Sequence, residues 1–363
     1  MKILHVITSL STGGAEKLIV DLLPRFHNMG HQVHLCLFDG TQTPFYQDIK
    51  KTGVHIISLS EGGYIYNPVN LLRLIKLLKK GNYDVVHTHN TVCQFYAAIA
   101  SLVCSVPLCT TEHSTSNRRR NWKWYAPIDK WMYKHYNSII CISDATENNL
   151  RGFIGGGGQK ISTIYNGIDV LKYRNAIAID RLSVTAFANR IILVMVAGFR
   201  YQKDQETVVR AASLLPDNYE IWFVGDGQRR PIIENKIREY NVESKVRLLG
   251  VRTDVEAILK AADIVIMSSH CEGFGLAAVE GMASGKPVIA SDVEGLSQVV
   301  EGAGVLFPHA NEKALVKAIL HLSSDPEYYK EVVYRCQGRA LQYSIETMAA
   351  KYLCEYERII NKV

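Results

Sequence analysis

The feature that most constrains the fold is a repeated alternation of short apolar runs with amphipathic helical patterns. It begins with KILHVI and a helical pattern over residues 15–28, and it continues through HQVHLCLF, a helical pattern over 71–79, YDVVHTH, PLCTTEH and NSIICIS. A second series begins at IILVMVAG (191–198) and continues through a helical pattern over 205–214, YEIWFVGDG, VRLLG and a helical pattern over 255–261. Alternation of this kind predicts parallel sheets with helices on both faces. Two separate series predict two such α/β domains.

The boundary between the two series is marked by a turn signal. At 363 residues the chain is longer than one ordinary core and suits two domains. The Asn-Gly pair in KISTIYNGIDV (160–170) favours a turn, because both residues tolerate positive φ. We therefore predict an N-terminal domain over residues 1–166 and a C-terminal domain over 167–343. A final amphipathic pattern predicts a terminal helix within 344–363.

The composition is typical of a soluble globular enzyme, with 47% hydrophobic and 21% charged residues. The chain contains no run of about 18 apolar residues, so we expect no membrane span. The N-terminal apolar run is short and contains a histidine, which favours a first strand over a signal peptide. The eight cysteines form no C-x-x-C pair, so we expect buried free thiols in a reducing compartment, without zinc or disulfides.

The positive charge is concentrated in the first half of the chain. Residues 1–165 contain 17 Lys and Arg against 10 Asp and Glu, whereas the remainder contains 24 against 25. The segment from Arg118 to Tyr125 combines three arginines with aromatic residues, a pattern that suits nucleic acid or an anionic membrane surface. A solvated surface with a partly buried aromatic helix is the plainer alternative. Because the second half is almost neutral, we expect no nucleic-acid partner.

One segment, DIVIMSSHCEGFGLAAVEGMASGKPVIASD (263–292), carries the most specific chemical pattern. It predicts a buried strand over 264–267, a glycine-containing loop, a helix over 276–284 and a second buried strand. The helix follows Gly273, Phe274 and Gly275, so its first turn presents free backbone N–H groups and the positive end of its dipole. Such a helix start suits a phosphate.

Two carboxylates, Glu272 and Glu280, bracket this loop and helix start with seven residues between them. Beside a bound phosphate, a carboxylate is useful only if it contacts hydroxyl groups or a positive charge. Phosphate on the amides and acids on sugar hydroxyls together describe a nucleotide-sugar pocket. The alternative is an ordinary βαβ unit with a solvent-exposed Glu280.

The first half contains further candidates at predicted strand ends. Gly13 and Gly14 allow close backbone approach at a helix start, but the G-x-G-x-x-G spacing of a dinucleotide site is absent. His87, His89 and His113 follow predicted strands, whose carboxyl ends face the functional edge of such sheets. His87 and His89 share a side of their strand, so a metal pair is conceivable, although the sequence offers no third ligand. Structural hydrogen bonding is the favoured interpretation for this pair.

The E-x7-E pattern, together with EGFG before the helix and GKPVIASD after it, resembles the signature of the retaining glycosyltransferases of family 4. The resemblance covers nearly the full chain and is strongest over 197–292. It implies the glycosyltransferase-B fold, in which two Rossmann-like parallel-sheet domains face a central cleft and the terminal helix packs back on the first domain. It also implies retaining transfer of a sugar from a nucleotide-diphosphate sugar to a hydroxyl of a glycan or lipid-linked saccharide, in bacterial surface polysaccharide biosynthesis.

The resemblance implies roles for individual residues. His113 and Glu272 would be catalytic, with His113 contacting the donor sugar and Glu272 stabilising the developing oxocarbenium ion. The predicted donor-binding residues are Gly14, Arg200, Lys203, Val251, Arg252, Gly273, Phe274, Gly275, Leu276 and Glu280. The predicted residues of the acceptor and membrane side are Gly13, Arg118, Arg119 and Arg120.

The chain departs from the family at Gly198, where an arginine is usual. Arg200 lies two residues further along the strand, hence on the same face, and is predicted to replace it as a diphosphate ligand. No D-x-D pair occurs, so helix amides, Lys203 and Arg200 are expected to neutralise the diphosphate with no metal ion and no cofactor.

Two other functions remain open at this point: a nucleotide-sugar epimerase of the same fold, and a non-catalytic nucleotide-sugar binder. The presence of both carboxylates and His113 favours the transferase over the binder. An epimerase would need its own acid and base residues and no acceptor. The basic first half predicts a cytoplasmic enzyme peripherally attached to the inner face of the membrane.

Overall fold

The computed structural model describes residues 1–11, 13–114, 122, 124–155, 161–187 and 189–362. The chain forms two compact units, Met1–Gly167 with Ile345–Val363, and Ile168–Ser344. These limits lie one residue from the predicted boundaries at 166/167 and 343/344. Each unit contains a parallel sheet with helices on its faces.

The first unit is built on a sheet whose described strands number seven, in the order β3-β2-β1-β4-β5-β6-β7. All the pairings between neighbouring strands are parallel. The strands are β1 Lys2–Ile7, β2 Gln32–Leu37, β3 His55–Ser58, β4 Val85–His89, β5 Leu108–Glu112, β6 Ser138–Cys141 and β7 Ile161–Thr163. The helices are α1 Gly14–Asn28, α2 Pro44–Lys50, α3 Pro68–Gly81, α4 Thr91–Ala100, α5 Ala126–Lys134, α6 Asp144–Ile154 and, from the end of the chain, α15 Ile345–Ile360.

Two hydrophobic layers cover this sheet. On one face α1 packs with α15, and Tyr352 and Tyr356 of α15 are fully buried in that layer. On the other face α3, α4 and α5 cover the strands. The strand order reverses between β1 and β4, and the carboxyl ends of strands beside such a reversal are where α/β sheets bind ligands.

The second unit repeats this plan with six described strands in the order β10-β9-β8-β11-β12-β13. The strands are β8 Ile191–Val196, β9 Tyr219–Val224, β10 Val246–Leu248, β11 Ile264–Met267, β12 Val288–Ser291 and β13 Val305–Phe307. The helices are α7 Val170–Arg174, α8 Gln205–Leu214, α9 Arg230–Glu239, α10 Val255–Ala261, α11 Leu276–Ala283, α12 Ser297–Val300, α13 Glu312–Ser324 and α14 Pro326–Gln342. Here the strand order reverses between β8 and β11.

Capping explains where the structure extends a predicted element. Helix α3 was expected over 71–79 but begins at Pro68, because the Asn67 side chain accepts a hydrogen bond from the Val69 amide. It ends at Gly81, because the next residue, Asn82, has a φ of 46° and leaves the helical region. The three-residue strand β7 is too short to produce a periodic pattern, and the sequence did not predict it.

Among the described residues, no helix is both long and apolar enough to cross a bilayer.

Candidate active site

The carboxyl ends of β8 and β11 lie side by side where the strand order of the second unit reverses, and the loops that follow them, together with helix α11, carry most of the predicted donor-binding residues. Helix α11 starts after Gly275, whose φ is +91°. A Cβ at this position would lie 2.6 Å from Leu296 Cδ1, so both the backbone angle and the space require glycine. The Leu276 and Ala277 amides donate no hydrogen bond to any described residue. The helix start therefore presents free N–H groups, as an anion site requires.

Glu272 and Lys203 contact one another directly. The Lys203 ammonium donates to the Glu272 carboxylate, which also accepts a hydrogen bond of 3.3 Å from Ser269 Oγ. The Lys203 side chain is 25% exposed and the Glu272 side chain is 15% exposed, so this ion pair is accessible but partly shielded from water. The sequence assigned Glu272 to the sugar and Lys203 to the diphosphate. The structure brings the two together, where a donor spanning both groups would meet them at once.

Glu280 is not solvent-exposed, in contrast to the alternative left open by the sequence. It is 7% exposed, and its Oε1 accepts a hydrogen bond of 2.6 Å from the hydroxyl of Tyr173. Tyr173 lies on the short helix α7 and is itself buried. The sequence analysis did not identify Tyr173, because no pattern along the chain shows that it will contact a glutamate 107 positions later.

Arg200 lies on the same exposed face as Gly198. Residues 197–200 alternate, with Ala197 and Phe199 buried and Gly198 and Arg200 exposed, so the last two share a face. A Cβ built on Gly198 would lie 3.8 Å from Arg200 Nε. The Arg200 guanidinium forms no hydrogen bond or ion pair with any described residue, and it is available for an anion.

The remaining donor candidates differ in what they can offer. Val251 is 70% exposed at the edge of the sheet. Arg252 binds the Asp254 carboxylate through two hydrogen bonds, and these bonds hold the pKa of Asp254 below its usual value. The Phe274 ring is buried against Tyr343, so only its backbone and that of Gly273 can face a ligand.

In the first unit, Gly13 caps α1 and Gly14 is its first residue, at an exposed helix start that follows β1. His113 follows β5 and is partly exposed. Its Nε2 lies 2.9 Å from Nδ1 of His89. The predicted acceptor-side residues Arg118, Arg119 and Arg120 lie outside the described residues.

Behind His113 the structure reveals a histidine that the sequence did not connect to the others. His5 of β1 is aligned with His87 of β4, and with His89 these residues form a buried group whose ring nitrogens have metal-ligand spacing. The sequence offered no third residue beside His87 and His89, and the structure places His5 there. Spacing along one strand cannot show which residue an adjacent parallel strand places beside it. Burial lowers the pKa of His5 to about 3 and that of His113 to about 4, so both are neutral at pH 7.

A second group with metal-ligand spacing, Asp204, His270 and His309, lies near the Lys203 loop. The Asp204 carboxylate already binds the Thr207 amide and hydroxyl at the start of α8. His270 and His309 are hydrogen-bonded to each other. These contacts occupy ring and carboxylate positions that a cation would need.

Two parallel-sheet α/β units, one with a glycine-capped helix start flanked by Glu272 and Glu280, are the arrangement expected of a nucleotide-sugar-dependent glycosyltransferase. Residues 12–171 match the family model described as Glycosyltransferase Family 4, and residues 179–339 match that of Glycosyl transferases group 1. The chain belongs to glycosyltransferase family 4 and has the glycosyltransferase-B fold. The expected reaction class, glycosyl transfer, is thereby confirmed.

Relatives and solved structures cover most of the chain. The UDP-Gal:alpha-D-GlcNAc-diphosphoundecaprenol alpha-1,3-galactosyltransferase of Escherichia coli is 26% identical over 343 residues, covering 90% of this chain and 88% of the relative. The N,N'-diacetylbacillosaminyl-diphospho-undecaprenol alpha-1,3-N-acetylgalactosaminyltransferase of Campylobacter jejuni is 29% identical over 343 residues, covering 89% and 90%. The crystal structure of Anabaena HepE with UDP-glucose is similar with a TM-score of 0.82 at 22% identity, covering 98% of this chain and 100% of that one. The likeness to HepE shows the fold.

Proposed function

We propose that the protein transfers a sugar, with retention of configuration and without a metal ion, from a nucleotide-diphosphate sugar to a hydroxyl of a diphosphopolyisoprenol-linked saccharide. The observation that carries the donor half of this proposal is the start of α11, with free Leu276 and Ala277 amides beside the Lys203–Glu272 pair. The acceptor class is supported by two relatives whose names specify undecaprenol-linked acceptors.

Donor binding follows from the charges at this sheet edge. The diphosphate would lie on the α11 amides and be neutralised by Lys203 and Arg200, since a guanidinium can bind phosphate oxygens in a bidentate way. Glu280, held by Tyr173, would accept hydrogen bonds from the ribose hydroxyls. Because cations and amides supply the neutralising charge, the residues suffice without a divalent ion.

The chemical step places demands on Glu272 and His113. As the diphosphate takes Lys203 as its counter-ion, the Glu272 carboxylate is released from that contact to face the sugar. Its negative charge then stabilises the positive charge that develops at the anomeric carbon. Front-face attack lets the leaving phosphate oxygen accept the proton of the acceptor hydroxyl, so the step requires no protein nucleophile. We infer that His113 contributes a hydrogen bond to the donor sugar.

The test is a donor screen with purified protein in EDTA, in which nucleoside diphosphate release is followed for UDP-, GDP- and ADP-sugars. One donor is expected to be turned over, and Glu272→Gln is expected to lower that rate about 100-fold. Glu312→Gln is the matched control, because Glu312 is also a partly exposed carboxylate paired with a cation, Arg210, in the same unit. The control should retain the wild-type rate.

Product analysis separates the alternatives. With a diphosphopolyisoprenol-linked saccharide as acceptor, the new linkage should keep the anomeric configuration of the donor, which NMR coupling constants report. An inverted linkage would rule out retention. Isomerised donor in the absence of acceptor would identify an epimerase, and tight donor binding without turnover would identify a binder. Activity abolished by EDTA and restored by a divalent ion would overturn metal independence.

We further propose that the first unit binds an anionic membrane surface. The charge excess of residues 1–165 supports this, as does Trp124, which is 90% exposed beside the arginine segment. Lys and Arg at such a surface contribute about 1 kcal/mol each. The Arg118, Arg119 and Arg120 triple alanine variant should therefore bind anionic vesicles about 100-fold more weakly. Unchanged sedimentation of this variant with anionic vesicles, or equal wild-type binding to neutral vesicles, would contradict the proposal.

A further inference from the structure

A continuous series of hydrogen bonds runs from His113 into the core of the first unit. His113 Nε2 lies 2.9 Å from His89 Nδ1, and His89 Nε2 lies 3.0 Å from His5 Nδ1. The Tyr356 hydroxyl lies 3.4 Å from His5 Nε2 and also contacts His87 Nδ1. The series connects β5, β4, β1 and α15, elements from both ends of the chain.

The series ends at two hydroxyl groups. His87 Nε2 lies 2.8 Å from Thr111 Oγ1, which lies 3.0 Å from the Tyr352 hydroxyl. Within the described residues, the Tyr352 hydroxyl has no partner other than Thr111. Every ring nitrogen of His5, His87 and His89 therefore has a hydrogen-bond partner. A metal ion at this group would have to break several of these bonds, so the contacts favour a hydrogen-bonded network over a metal centre.

The buried end sets the direction of the whole series. A neutral imidazole has one N–H and one bare nitrogen, so in a series of neutral rings each donor determines the next. If Tyr352 donates to Thr111, and Thr111 to His87, every later donor points toward His113 and every proton has an acceptor. In the opposite direction, one of the two buried hydroxyl protons has no acceptor, and an unsatisfied buried donor is unfavourable.

We propose that His87, Tyr356, His5 and His89 form a relay that fixes His113 in the tautomer carrying its proton on Nδ1. In this tautomer His113 Nε2 accepts from His89, and the remaining ring position offers an N–H. His113 then acts as a neutral hydrogen-bond donor to an oxygen of the sugar, and it has no bare nitrogen left with which to remove a proton. His89 is the positioning residue, since it alone contacts His113 in the relay.

Burial supports neutral rings throughout the relay. It lowers the pKa of His5 to about 3, and it lowers the pKa of His87 and of His89 well below the ordinary value. Neutral rings are what the directional argument requires. The statement that His113 contacts the sugar rests on the proposed function, whereas its tautomer can be measured on the free protein.

The experiment is long-range proton–nitrogen NMR of the full chain labelled with ¹⁵N-histidine at pH 7, with signals assigned from single histidine variants. His5, His87, His89 and His113 are all expected to carry one proton, on Nδ1. The exposed His321 of the second unit is the internal reference. An Nε2–H tautomer or a doubly protonated ring at His113 would overturn the relay. Stoichiometric zinc binding that shifts the nitrogens of His5, His87 and His89 would also overturn it.

Two His89 variants separate positioning from packing. In His89→Asn the side-chain amide can still donate to His113 Nε2, so the His113 tautomer and kcat should stay close to wild type. In His89→Leu no donor remains, the His113 tautomers should mix, and kcat should fall about tenfold with little change in donor KM. In a His113→Ala background, His89→Leu should have no further effect on kcat. Equal losses in the two His89 variants, or additive losses, would show a packing role only.

The outcomes distinguish the relay from the proposed function. Four Nδ1–H histidines in a protein that turns over no donor would support the relay and refute the transferase proposal. Turnover by a protein whose His113 carries its proton on Nε2 would do the reverse.

Discussion

The charged side chains that follow β8 lie where the proposed donor would need them. Lys203 has a carboxylate partner in Glu272, whereas the neighbouring Arg200 has none among the described residues. An anion that binds at this edge must therefore displace Glu272 from Lys203, whereas it displaces no partner from Arg200. This difference makes Arg200 the residue whose removal should most directly weaken binding of the diphosphate.

Replacing Arg200 with alanine should raise the Kd for the nucleoside diphosphate about 10- to 100-fold, because a charge-assisted hydrogen bond to a phosphate contributes about 1.5–3 kcal/mol. Isothermal calorimetry measures this directly. The double variant Gly198→Arg with Arg200→Ala should recover most of the affinity. A Cβ at position 198 would meet no atom closer than 3.7 Å, so a side chain fits there, and this position lies on the same exposed face as Arg200. Failure of this positional exchange would show that Arg200 does not replace the family arginine.

The hydroxyl of Tyr173 should matter through Glu280. Tyr173→Phe removes the 2.6 Å hydrogen bond to Glu280 Oε1, so the carboxylate is held less firmly. We expect the donor KM to rise about 3- to 10-fold while kcat at saturating donor stays unchanged. Tyr329→Phe is the control, because it removes a partly buried hydroxyl that donates to the Asp263 carbonyl in the same unit. Similar KM values in both variants would refute a role for Tyr173 in donor binding.

At the scale of elements, the position of α11 depends on close backbone packing. A Cβ on Gly281 would lie 2.8 Å from Val265 Cγ2, so this helix lies directly against β11. Gly275 directs the chain into the helix with a left-handed backbone conformation. The free amides of the first turn thus point where β11 and these two glycines place them.

Gly275→Ala should destabilise the second unit by about 1–3 kcal/mol, because alanine is strained at a φ of +91° and its Cβ meets Leu296. It should also weaken nucleoside diphosphate binding. Gly338→Ala is the matched control: it lies within α14 with nothing within 4 Å of the new Cβ, and it should stabilise by about 0.5–1 kcal/mol. Urea unfolding of the two variants measures both values. If Gly275→Ala has the same free energy of unfolding as the wild type, the backbone at this position relaxes without cost.

At the scale of the whole molecule, the buried histidines link folding to pH. Burial depresses the pKa values of His5, His87, His89 and His113 relative to the ordinary 6.5. The unfolded chain therefore binds protons below about pH 6.5 that the native state does not bind until the pH is much lower, near 3 for His5 and near 4 for His113. Stability from these groups is fully present above pH 6.5 and is lost as pH falls.

We expect the free energy of unfolding to fall between pH 6.5 and pH 5 by about 1.4 kcal/mol per pH unit for each such histidine. Calorimetry at several pH values gives the slope. His5→Leu should reduce this slope by about 1.4 kcal/mol per pH unit, the contribution of one proton. A first-unit transition whose midpoint does not change between pH 7 and pH 5 would contradict buried neutral histidines.

Much of the fold could be predicted because its signals are local. The strand over 264–267 and the helices over 205–214 and 255–261 have the predicted bounds, since apolar runs and periodicity depend on neighbours in sequence. Very short elements such as β7 gave no periodic signal, and helix ends shifted where a side-chain cap decided them.

The sequence by itself determined the class of fold and the family, and it singled out the segment proposed as the donor site, because these depend on patterns that run along the chain. Only the tertiary structure decided which side chains meet. The Lys203–Glu272 contact, the Tyr173–Glu280 hydrogen bond and the connection of His113 to His5 each join residues tens to more than a hundred positions apart. Strand order and register in a parallel sheet bring such residues together, and spacing in sequence carries no information about either.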